Sequence, residues 1–132
     1  MKVIKAFSTT ETQSPALSAM RRLPSRIALH VAEGIVLLPW NEIQYCSAES
    51  NYTHVYATEG RHYMLSKTLR EVESKLPGGH FARIHQSHLV NLEAVREVTS
   101  THVKIIDKVS LPLARAKRKQ FYDLMDRISI HI

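Results

Sequence analysis

A single cysteine, Cys46, stands in the chain, so no internal disulfide can form and nothing argues for an oxidising compartment. Its simplest reading is a buried structural thiol. No apolar run approaches the roughly 18 residues a membrane helix needs, and the opening MKVIKAFSTTETQ lacks the hydrophobic stretch of a secretory signal. The reading is cytoplasmic, with no membrane partner. At 132 residues a second folded domain has no room. A Gly-rich phosphate loop, a paired-carboxylate constellation and a nucleophile elbow are all missing. Histidine alone is plentiful, at eight residues, and raises the idea of a metal-dependent enzyme around His80, His85 and His88. In an extended segment positions 85 and 88 point to opposite faces, and no acidic residue lies within a few positions to complete a ligand set. Ser87 beside His85 is too common a pairing to suggest catalysis. No enzyme, cofactor or metal site is expected.

The charge that is present lies unevenly. Of the net +6, the first 26 residues carry five basic groups against one acidic, so overall basicity is poor evidence for a polyanion partner. The sharper feature is local: LARAKRK, Leu113 to Lys119, packs four cations into seven positions just before a C-terminal helix gets under way. A solvated helix face accounts for such a run equally well. Residues 1–26, rich in Ser, Thr and other polar groups, read as a flexible leader or linker, and 27–132 as the folded domain.

From Ile27 the pattern is one of short strands: IALHV, GIVLL after a Glu33-Gly34 turn, IQYCSA, YTHVYA, and RHYML after Thr58-Glu59-Gly60. Such density implies antiparallel hairpins. Alternation puts Tyr52, His54 and Tyr56 on one face and Thr53, Val55 and Ala57 on the other, so both faces are at least partly covered. Leu69, Val72 and Leu76 then fall at helical spacing behind a Thr68/Glu71 capping box, and Pro77-Gly78-Gly79 ends that short helix. Strands resume with FARIH, HLVN, AVREV, HVKII and SLPL, the last two joined as a tight hairpin across Asp107-Lys108. Phe121, Leu124, Met125 and Ile128 make the core stripe of a closing helix. The expected fold class is mostly β: short antiparallel strands with one short middle helix and a C-terminal helix.

Three elements, in this order and spacing, carry a resemblance: Asn51-Tyr52-Thr53, the run from Phe81 to Asn91, and Leu111-Pro112-Leu113-Ala114-Arg115. The segment from Ile43 to Arg115 resembles the LytTR family over nearly all of that family's length. The resemblance implies a β-rich output domain of bacterial response regulators in two-component systems. It also implies that loops enter successive major grooves of double-stranded DNA from one face of the duplex.

Carried across position by position, the family's base-reading residues fall on Thr53, Gln86 and Arg115. Arginine offers a fork to guanine O6/N7, glutamine a donor and acceptor to adenine N6/N7, and threonine a hydroxyl and a methyl. The resemblance places Asn51, Arg83, His85, Ser87, Lys117, Arg118 and Lys119 as backbone contacts. Arg83 and Ser87 either grip phosphate or pair within the protein. Asn91 reads as a residue that satisfies turn backbone. Two departures stand out: many relatives have a basic residue where Gln86 stands and a serine where Ala114 stands.

Partners implied by the resemblance are double-stranded DNA, as paired direct repeats, and a second copy bound on that DNA. Relatives usually carry a phosphoacceptor receiver domain upstream, and none is readable before Ile27. Two alternatives share the β pattern. One is a single-stranded RNA-binding module stacking bases on Tyr52, Tyr56 and Tyr63. The other is a protein-interaction module, suggested by the neutral Gln86 and the missing serine at 114.

Overall fold

The computed structural model describes residues 26–132, and the part expected to be a leader lies outside the described residues except for Arg26. Ten strands form, matching the ten segments read from the alternation: β1 (Arg26–Val31), β2 (Gly34–Pro39), β3 (Ile43–Glu49), β4 (Tyr52–Ala57), β5 (His62–Leu65), β6 (Phe81–His85), β7 (His88–Asn91), β8 (Val95–Val98), β9 (His102–Ile105) and β10 (Ser110–Pro112). Among the described residues two α-helices join them, α1 (Leu69–Lys75) and α2 (Arg115–Ile128). All strand pairings are antiparallel.

A five-stranded sheet, β5-β4-β3-β7-β6, forms the middle layer. One face is covered by the β1–β2 hairpin and α1, where Leu29, Leu38, Ile43, Val55, Leu69 and Leu89 pack together. The other face meets the three-stranded sheet β10-β9-β8 and α2, through Ile84, Val90, Val103, Ile105, Leu111 and Phe121. Leu89 and Val90 belong to opposite cores because neighbouring strand residues point to opposite faces. Burying the sheet on both sides explains why fully hidden residues concentrate in β3, β4 and β7.

The polar exceptions in this interior are each bonded, as buried polar groups must be. Asn91 donates from Nδ2 to the Ile43 carbonyl at 2.8 Å and accepts at Oδ1 from the Glu93 N–H at 3.0 Å, which is the turn-satisfying role expected of it. Gln44 reaches Asp107 Oδ2 at 3.2 Å and so ties the central sheet to the β9–β10 turn.

Local signals hold closely. Thr68 and Glu71 form the capping box of α1, and Leu69, Val72 and Leu76 are buried. The β1–β2 turn sits one residue earlier than expected, at Ala32-Glu33, and Gly34 opens β2 with a φ of 147° that only glycine adopts readily. The β9–β10 connection is a three-residue 3-10 turn, Ile106–Lys108, with left-handed backbone at Asp107 and Lys108 rather than a two-residue hairpin. The closing helix buries Phe121 and half-buries Leu124 and Met125, while Ile128 is exposed at its frayed end. Among the described residues no helix is long and apolar enough to cross a membrane.

Candidate nucleic-acid interface

Between β6 and β7 the chain turns in two residues, Gln86 and Ser87, with His85 paired to His88 across the hairpin. Arg83 holds this turn from behind. Its Nε donates to the His85 carbonyl at 2.9 Å, Nη2 to the Gln86 carbonyl at 2.5 Å, and Nη1 to Glu73 Oε1 on α1 at 2.9 Å. The Ser87 N–H donates to His85 Nδ1 at 3.0 Å, so a neutral His85 carries its proton on Nε2. The Ala48 N–H donates to the Ser87 carbonyl at 2.9 Å and seats the turn beside the end of β3. The backbone is thus fixed while the Gln86 side chain projects into solvent with no intramolecular bond among the described residues.

Next to this turn begins α2. The Ala114 N–H donates to the Ile84 carbonyl at 2.8 Å, setting the helix start against the end of β6. A cleft of about 480 Å³ runs between them, lined by Glu73, Arg83, His85, Gln86, Ala114 and Lys117. The cationic run proves to be the first turn and beyond of α2 rather than a segment preceding it, since the helix starts at Arg115. Arg115 is exposed, Lys117 and Arg118 are half-buried, and Lys119 is exposed with an i,i+4 contact to Asp123 at 3.3 Å. No acidic residue lies in the first turn, and Ala114 supplies no side-chain cap.

On the other flank, Ser50 and Asn51 form the β3–β4 turn, with Ser50 in left-handed backbone and Asn51 exposed. The structure therefore lines up the Asn51 turn, the Gln86-Ser87 turn and the start of α2 along one edge.

One of the expected contacts needs correction. Thr53 is fully buried, and its hydroxyl donates to the Lys67 carbonyl at 2.7 Å, so it fastens the chain before α1 and presents nothing to a base. It shares its buried face with Val55 and Ala57, as strand alternation requires. Of the two readings open for Arg83, the structure shows pairing within the protein: its guanidinium bonds Glu73 and two carbonyls and positions the turn.

Two features escaped sequence reasoning. Glu73, which anchors Arg83, gave no local signal, because its partner lies on another element. His54, Tyr56, His62 and Tyr45 form a stacked ladder that Tyr45 joins to the Val90 core, with neighbouring centroids 4.4–4.9 Å apart from Tyr45 through Tyr56 and His62 to His54. His54 also hydrogen-bonds His62 at 2.7 Å and Glu49 at 2.5 Å. Tyr63 faces the opposite core, so the three tyrosines expected of an RNA-stacking platform do not share a surface. His88 is half-buried with Nδ1 unpartnered. Desolvation first, and the nearby His85 second, push its pKa below the usual 6.5.

The described residues thus form a β-rich domain with two exposed turns and a cationic helix start along one edge. The chain belongs to the LytTr DNA-binding domain family, whose model matches residues 33–126. Among curated relatives, it is 32% identical over 130 residues to the transcriptional regulatory protein YpdB of Escherichia coli K12, covering 94% of this chain and 53% of that protein. It is 33% identical over 105 residues to the sensory transduction protein LytT of Bacillus subtilis 168, covering 76% of this chain and 43% of that protein. The chain thus spans about half the length of the curated relatives it matches. A solved LytTr DNA-binding domain of a methyl-accepting/DNA response regulator from Bacillus cereus shares the fold. Its TM-score is 0.68 at 24% identity, over 76% of this chain and 96% of that one.

Proposed function

We propose that this chain is the DNA-binding output domain of a bacterial transcriptional regulator of the response-regulator type. It reads double-stranded DNA sequence by placing the Gln86-Ser87 turn and the start of α2 in successive major grooves. The observation that carries this reading is the N-terminus of α2. Four cations occupy its first five positions with no acidic residue and no side-chain cap, against the helix dipole, where each such charge costs about 0.3–1 kcal/mol at an exposed site. Local stability is forgone where a phosphate would supply the missing negative charge and accept the free N–H groups.

In this arrangement Gln86 and Arg115 read bases. Asn51, His85, Ser87, Lys117, Arg118 and Lys119 line the path of the phosphates, with His85 and Ser87 also bracing the turn. Arg83 acts from behind. Two copies on paired direct repeats in the cytoplasm, governed by a receiver domain, complete the proposal.

The test is selection of bound duplexes from a random pool, followed by titration of the selected site. Affinity should fall steeply with salt, at a log-log slope of about 0.9 per phosphate neutralised. Arg115→Ala should cost about 1–3 kcal/mol on the selected site and relax discrimination at one position, whereas Lys119→Ala should weaken all duplexes alike. A pool that yields no consensus, or a flat salt dependence, refutes the reading.

A further inference from the structure

On the far side of the central sheet from α2, a cleft of about 510 Å³ opens between β1 and α1. Its size falls within the ~300–1,000 Å³ of ordinary ligand sites. The floor is apolar, built from Leu29, Ile43, Val55, Leu65 and Val72, with the Cys46 thiol among them. The rim is mostly basic. Arg26 and His30 come from β1, Lys67 from the segment before α1, and Lys75 from its last turn. All four are exposed, and none is ion-paired among the described residues. Glu71 is the rim's one acid. Its carboxylate accepts from the Thr68 N–H at 2.9 Å and the Thr68 hydroxyl at 3.1 Å in the capping box and offsets one charge, so Arg26, Lys67 and Lys75 together leave the mouth net positive.

Apolar floor and cationic rim together select an amphipathic anion. A neutral hydrocarbon would use the floor and ignore the rim, and a hydrophilic anion would do the reverse. We propose that this cleft is a small-molecule site for an apolar carboxylate. The hydrocarbon part lies against Leu29, Val55 and Val72, and the headgroup meets Lys67 and Lys75 across from Arg26 and His30. Burying methylenes on the floor supplies affinity, and the rim supplies selectivity. The site shares no residue with the edge proposed to meet DNA, and it stands independently of that reading.

The experiment is an amide-resolved NMR titration of the full chain, without DNA, using sodium decanoate, n-decanol and decyltrimethylammonium, each below its aggregation concentration. Decanoate should perturb amides of β1, α1 and the Cys46 region, and bind about tenfold tighter than either comparator, as one charge-assisted contact would give. Lys67→Glu combined with Lys75→Glu should abolish that preference and leave decanol binding unchanged; both positions are exposed, so the fold tolerates them. The proposal is overturned if decanol matches decanoate or if the charge reversal has no effect. It is equally overturned if the perturbations fall only on Arg115–Lys119, or if no binding occurs up to the solubility limit.

Discussion

Glu73 Oε1 and Arg83 Nη1 lie 2.9 Å apart, and this pair links α1 to the turn that carries Gln86. The rest of the Arg83 fork grips the carbonyls of His85 and Gln86, so one planar group sets the height and angle of the turn.

It follows that Arg83→Met should loosen the turn without removing a phosphate contact. We expect a stability loss of about 1–3 kcal/mol, typical for bonds to a charged group. We also expect a larger loss of affinity on the selected duplex than on random duplex, with the salt slope unchanged. Arg83→Lys should not rescue, because a point charge cannot reproduce three diverging bonds. A slope reduced by about one would instead make Arg83 a phosphate ligand.

Thr53 provides a contrast. Thr53→Val keeps the shape but leaves the Lys67 carbonyl without its donor, which should cost about 1–3 kcal/mol of stability. The consensus recovered from a duplex pool should be unchanged. A changed base at one position with normal stability would return Thr53 to the reading surface.

The burial of Thr53 shows where sequence reasoning divided. Period-two alternation puts Thr53 on one face with Val55 and Ala57 without saying that the face is sealed, while the family mapping puts it on DNA; the structure buries all three. Features made within one element were legible: the Thr68/Glu71 box, the Leu69, Val72 and Leu76 stripe, and the strands themselves. Features made between elements were not. The Gln44–Asp107 bond joins positions 63 apart, and the partner of Arg83 sits on α1. The cleft under β1 exists only once the hairpin lies beside α1. No local pattern encodes these. The exposed turn at Gln86 and the cations of α2 were legible because both depend on residue type and short spacing.

His88 gives a pH dependence. Its pKa is lowered in the fold, so the unfolded chain binds the proton more readily. Stability is intact above about pH 6.5 and declines as pH falls below it toward the folded pKa. Thermal unfolding at pH 7.5 and 5.5 should show this decline, and His88→Phe should reduce it. The His85 ring lies 5.4 Å away between centroids, so the comparison that matters is the difference between wild type and variant. An identical pH profile in His88→Phe would show that the half-buried ring is not its source.

Gln86 tests the mechanism most directly, because this chain presents a neutral amide, where the family resemblance implies a basic residue, on a turn whose backbone is fixed. If the turn enters a major groove, Gln86 can bond N6 and N7 of adenine, whereas arginine favours O6 and N7 of guanine, each pairing being worth about 1–3 kcal/mol of discrimination. Gln86→Arg should therefore raise affinity for every duplex through its added charge and shift one position of the consensus from adenine toward guanine. Salt separates the two effects, since the general gain fades at high ionic strength and the base preference persists. Gln86→Ala should flatten that same position and leave the others as they were. Because Arg83 holds the turn by its backbone carbonyls, neither substitution should alter its conformation, and thermal stability should stay within about 0.5 kcal/mol of wild type. An unchanged consensus in both variants would remove the turn from the reading surface and leave Arg115 as the base-reading side chain.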